Sequence, residues 1–161
     1  MGVSLKSSKN EVNKESQAGV AKELYKIVCD SYVLLAKTHG FHWNVTGPQF
    51  YSLHKLFEEQ YNELFAAIDV LAERVRAMGT FAPFSTSEMV KNSGISEAPK
   101  VLTADEMVRD LLKSHEYASG AIRSAIKVCE EASDDATADI LTSRLEAHDQ
   151  AAWMLRSSLP Q

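Results

Sequence analysis

"TGPQFYSLHKLFEEQYNELFAAIDVLAERVRAMG", residues 46–79, decides the fold. Its apolar positions Phe50, Leu53, Phe57, Tyr61, Leu64, Ile68, Leu71, Val75 and Met78 recur every three or four residues. That spacing is one face of an α-helix. Gly47 stops whatever precedes it, Pro48 suits the first turn of this helix, and Gly79 ends it. A helix this long with a single apolar stripe must bury that stripe against other helices.

The same punctuation extends in both directions. Upstream, Val20, Leu24, Ile27, Val28 and Leu35 predict a first helix that runs to about Trp43. Downstream, Ser85 with Glu88 is a capping-box pattern for a short helix inside a long connection. Thr103 with Glu106 is another, and it opens a helix through Met107, Leu111, Ala118, Ile122 and Ile126 to about Glu130. The polar turn "EEASDDA" follows, and Leu141, Leu145, Ala152 and Leu155 mark the last long helix. No strand pattern and no internal repeat is present. The expected fold is all-α: a four-helix bundle with a short extra helix in the long connection between its second and third helices, which is the ferritin-like plan. Residues 1–16 are polar and aperiodic and read as a flexible arm, with the bundle at 17–161.

Composition narrows the function. A chain of 161 residues with 45% apolar and 24% charged content suits one ordinary domain. No apolar run approaches the roughly 18 residues of a membrane span. The start carries no signal segment, and Lys6 spoils a myristoylation pattern, so a cytoplasmic site is expected, with nucleoid association open. A net charge of −5 argues against a body that grips nucleic acid over its whole surface. Cys29 and Cys129 lack CxxC partners and read as small buried hydrophobes.

The chemistry gathers on the second helix. His54 and Glu58 are spaced i, i+4 and share a face, and Asp69 and Glu73 repeat the spacing. From Glu58 to Asp69 is about 1100° of helical rotation, so both pairs lie on one stripe, the shoulder of the core stripe. The two pairs are also roughly 16 Å apart along the axis, too far for one metal site with bonds of about 2 Å. Two copies running antiparallel about a two-fold axis near residues 63–64 would close both pairs. They would place Tyr61, Asn62, Phe65 and Ala66 near that axis and form two equivalent sites. His42, at the end of the first helix, would fold back to join His54. Imidazoles with carboxylates suit iron, manganese or zinc better than copper alone. No histidine follows a glutamate by three residues, so the Glu-x-x-His pattern of sites inside one bundle is missing.

The stretch "HWNVTGPQFYSLHKLFEEQYNELFAAIDVLAERVRAMG", with "PFS" after it and "HDQAAWML" in the last helix, resembles the signature of the Dps family, mini-ferritins named DNA-binding protein from starved cells. The resemblance covers nearly the whole chain from about residue 18. It implies a dodecameric shell with 23 symmetry and ferroxidase centres at two-fold interfaces. Ferrous iron would be oxidised there, preferentially by hydrogen peroxide rather than oxygen, and ferric mineral stored inside, protecting the cell and its DNA. Carried over, His42, His54 and Glu58 from one subunit and Asp69 and Glu73 from its neighbour are the catalytic metal ligands, two irons per site, with zinc or manganese able to substitute. Many relatives have Asp where this chain has Glu58; the longer carboxylate is expected still to reach, with the balance between the two iron positions open to change.

Several residues keep two readings. Trp43 either supplies an electron to a stray oxidant or packs at the interface. His39 reads as structural. His115 and His148 fall on apolar stripes and read as buried or interfacial. Asp135 and Asp139 read as an acidic entry pore at a three-fold axis, as the resemblance implies, while Glu130, Glu131 and Asp134 fit either a pore or a solvated turn. The arm has Lys6, Lys9 and Lys14 against Glu11 and Glu15 and no aromatic, so DNA binding is expected to be weak or absent. The competing functions are a nucleoid-compacting shell with structural metal sites and a zinc-stabilised helical oligomer.

Overall fold

A computed structural model describes residues 7–159, with side chains described from residue 14 onward. Among these residues there are five α-helices and no strand: α1 (Ser7–Asn44), α2 (Phe50–Ala77), α3 (Thr86–Asn92), α4 (Ala104–Glu131) and α5 (Asp135–Ser157). α1 pairs with α2 and α4 with α5, and α1 against α4 joins the two pairs into the bundle. α3 lies in the long connection and packs on α1. No described helix is long and apolar enough to cross a membrane.

The helix ends follow local chemistry. Gly47 (φ 106°) and Gly79 (φ 84°) take the left-handed backbone that a side chain resists. Thr103 completes a full capping box with Glu106, each side chain bonding the other residue's backbone N–H. Ser85 makes only half of one: its hydroxyl accepts from the Glu88 N–H, but the Glu88 carboxylate accepts from Tyr25 and from the Phe84 N–H instead. Pro48 lies in the turn before α2, whose N-cap is Gln49, so it does not enter the first helical turn.

α1 begins at Ser7, earlier than its apolar periodicity suggests. Once a packed helix exists, each added residue forms one more hydrogen bond without a new nucleus. A polar run of mainly Ser, Lys, Asn and Glu continues it without needing an apolar stripe. Much of the segment read as an arm is thus helical in its backbone. Residues 1–6, Lys6 among them, lie outside the described residues.

The core forms two apolar clusters. One gathers Leu34, Phe41, Leu53, Phe57, Leu64, Met107, Leu111 and Leu155. The other gathers Leu24, Val28, Leu71, Val75, Ile122, Cys129 and Leu141. The α2 residues in both clusters are those of the sequence stripe, and each fully buried Leu or Phe contributes about 1.5–3 kcal/mol. Burial pushes the thiols of Cys29 and Cys129 up to about 11, so both are inert packing groups.

Buried polar residues tie the bundle together. His115 and His148 place their Nδ1 atoms 2.9 Å apart. Arg144 reaches the Glu63 carboxylate with both Nη atoms, at 3.0 Å for Nη2, and its Nη2 is 3.5 Å from His148 Nε2. Burial, with Arg144 adding its charge, lowers His115 to about 4. Burial first, then His115 and Arg144, also lowers His148 well below the usual histidine value. The middle of the bundle therefore already holds a cation, the Arg144 guanidinium, paired with its carboxylate.

Candidate metal centre

His42 sits near the C-terminal end of α1 and His54 just inside α2, and the turn through Gly47 folds one onto the other. Their rings stack with centroids 3.8 Å apart and planes 19° apart. His42 Nδ1 lies 2.8 Å from the His54 carbonyl oxygen, and His54 Nδ1 lies 2.9 Å from the His42 carbonyl oxygen. A carbonyl can only accept, so both Nδ1 atoms carry the proton and donate it. In a neutral ring, Nε2 is then the nitrogen that offers a metal its lone pair, and the backbone carbonyls fix which way each ring is turned. The sequence placed these two histidines together. It gave no sign of the reciprocal carbonyl bonds, which depend on the register of the turn.

Glu58 lies one turn beyond His54, but its carboxylate is engaged elsewhere. Lys55 Nζ is 2.6 Å from Glu58 Oε2. That hydrogen bond and the Lys55 charge hold the carboxyl below its usual range.

Aromatic rings wall the site. His39 stands between Trp43 and Tyr61, with centroids at 4.1 and 4.2 Å. Tyr61 meets His42 edge-on at 5.2 Å, and Phe50 stacks on His54 at 5.1 Å. Trp43 is 66% exposed and rests on His39.

Asp69 and Glu73 are both exposed further along α2. Within the described residues no hydrogen bond or ion pair engages either carboxylate. Phe65, on the same stripe between Glu58 and Asp69, is 72% exposed. Among the described residues, no group of three His, Cys, Asp or Glu converges within the chain on a single metal position. One subunit therefore presents two separated sets of donors with the exposed Phe65 ring between them.

The turn between α4 and α5 separates its acids by role. Asp134 caps α5, accepting from the Thr137 N–H at 3.0 Å, and pairs with Arg74 at 2.8 Å. Asp135 and Asp139 are exposed, as are Glu130 and Glu131. Asp134 is thus occupied in holding the turn, a job the sequence did not assign to it.

Comparisons with known proteins agree with this architecture. Residues 21–161 match the ferritin-like domain, which defines the class. The chain is 41% identical over 145 residues to an uncharacterised low-temperature-induced protein of Nostoc, covering 89% of this chain and 81% of that one. It is 37% identical over 142 residues to the DNA protection during starvation protein 2 of Bacillus anthracis, covering 88% and 97%. The crystal structure of a Dps protein from Bacillus brevis superposes with a TM-score of 0.88 at 37% identity, covering 91% of this chain and 98% of that chain. The chain belongs to the Dps family of mini-ferritins.

Proposed function

We propose that the protein is a ferroxidase and iron-storage mini-ferritin whose metal centres are each completed by two chains. The observation that carries this reading is the backbone-locked pair His42 and His54. The two rings are fixed by the turn one helical turn before Glu58, while Asp69, roughly 16 Å beyond Glu58 along α2, and Glu73 stand exposed on the same stripe. A two-fold partner running antiparallel covers Phe65 and brings its own Asp69 and Glu73 to the imidazoles. Membership of the Dps family supports the same assembly, a homo-oligomeric shell of twelve subunits with 23 symmetry.

Iron is the substrate. Two ferrous ions each give one electron to one hydrogen peroxide. Its O–O bond breaks, two protons are taken up, two waters leave, and no hydroxyl radical is released. His42, His54, Glu58, Asp69 and Glu73 bind and orient the ions, and the ferric product passes to mineral inside the shell. Zinc or manganese fits the same donors without this turnover. Asp135 and Asp139, exposed at the start of α5, line the entry pore and draw cations inward. Trp43 is a reserve electron donor beside the site. Protection of DNA, which names the Bacillus anthracis relative, follows here from removing peroxide and iron together, with direct DNA contact weak or absent.

The test is stoichiometric. Ferrous iron is added without air at many ions per subunit, and peroxide is then titrated in. The expected result is two ferric ions per peroxide, with oxidation continuing well beyond the number of bound ions. Oxidation that stops once the bound ions are spent contradicts the ferroxidase reading and leaves metal sites that only staple subunits.

A further inference from the structure

The two kinds of ligand in the half-site are prepared differently. The imidazoles are set by backbone carbonyls before any metal arrives. The carboxylate is not, because Glu58 lies 2.6 Å from Lys55 Nζ. Lys55 stands immediately after His54 and three residues before Glu58, and its ammonium lies on the Glu58 carboxylate. We propose that Lys55 is a positioning residue, an internal cation that holds Glu58 in the metal-free state, yields it when ferrous iron reaches His42 and His54, and reclaims it as oxidised iron leaves. This rests on reading His42, His54 and Glu58 as a metal half-site.

The physical case is a comparison of two ion pairs. Arg144 is buried, its side chain 9% exposed, and it grips Glu63 with a planar fork while lying beside His148. Its partner Glu63 is 48% exposed, but losing Glu63 would strand the buried guanidinium, so that pair resists separation. The Lys55 side chain is 50% exposed and that of Glu58 34%. Such an exposed pair of neighbours is weak, and a lysine ammonium is a point charge on a flexible stem. A dication already held by two imidazoles outcompetes it for the carboxylate. The same ammonium opposes the incoming positive charge and offers Glu58 a ready partner when the ion departs. Lys55 therefore lowers metal affinity and speeds exit together, which suits a site that passes iron onward.

The test uses the full chain with Lys55→Met, which keeps stem length and helix propensity, Lys55→Arg, which keeps the charge, and His54→Ala. Zinc alone is titrated by calorimetry at fixed ionic strength, and iron oxidation with peroxide is followed separately. Lys55→Met is expected to bind zinc about two- to fivefold tighter, the range of an exposed pair, with Lys55→Arg matching the parent protein. The ferrous concentration for half-maximal rate should fall by a similar factor, and turnover at saturating iron should fall with it. A merely structural lysine would move neither. Unchanged zinc affinity in Lys55→Met, with affinity lost in His54→Ala, overturns the role of Lys55 alone. Full zinc affinity in His54→Ala overturns the half-site reading and this role with it.

Discussion

Acid should weaken this protein through one buried pair. The unfolded chain takes a proton on His115 near pH 6.5, but in the folded bundle the same ring resists until about pH 4. Between those values the unfolded state binds more protons, so stability is full above pH 6.5 and is lost as pH falls toward 4. Each pH unit of difference is worth about 1.4 kcal/mol, so His115 alone costs the fold about 2 to 3 kcal/mol by pH 4.5. His148 is lowered as well and titrates with it as a pair, so both rings move stability in the same direction. The groups facing the pair are Arg144, which disfavours further positive charge, and Glu63, which is already held by Arg144. His115→Gln keeps a polar partner for His148 and removes one titration. Guanidinium unfolding, followed by circular dichroism at fixed protein concentration, gives the stability of both proteins at pH 7 and pH 4.5. The parent should lose about 2 to 3 kcal/mol more than the variant over that interval. Equal losses would refute the argument and move the acid sensitivity to the carboxylates.

Other outcomes follow from single contacts. A Cβ on Gly94 would fall 1.8 Å from the Tyr117 hydroxyl oxygen and 2.4 Å from its Cζ. Gly94→Ala should therefore cost about 1 to 3 kcal/mol, and much less in a Tyr117→Ala background, as measured by thermal unfolding. Asp135→Asn with Asp139→Asn should slow iron uptake by about tenfold at low ionic strength and progressively less as salt is added. A salt-independent rate equal to that of the parent would remove these residues from the entry path.

Much of the bundle was legible because periodicity reports burial directly. The α2 stripe from Leu53 to Val75 and the Thr103 capping box are local signals, and both stand in the structure. The meeting of His42 and His54 was legible for the same reason, since a short Gly-Pro turn leaves two helix ends little choice. The start of α1 was not, because a polar helix extended from a packed one carries no apolar period to read. Nor was the role of Arg144 and the two buried histidines. His115 and His148 are 33 residues apart in sequence, and only the packing of α4 on α5 brings them together. Nothing in the sequence singled out Lys55, and only the geometry sets it on Glu58. The second half of the proposed centre belongs to another subunit, so one chain can show its donors but not their convergence.

That convergence is the central claim, and subunit mixing tests it most directly. His54→Ala and Asp69→Ala should each abolish nearly all fast iron oxidation, because every centre in either homodimer lacks a ligand. The two variants are unfolded, mixed in equal amounts and reassembled, and shell formation is confirmed by size. In each mixed dimer one centre carries both defects, while the other pairs the native His54 of one chain with the native Asp69 of the other. Half the dimers are mixed and half their centres are whole, so about a quarter of the parent rate with peroxide should return. Assembled shells in which no activity returns would contradict a centre shared between chains.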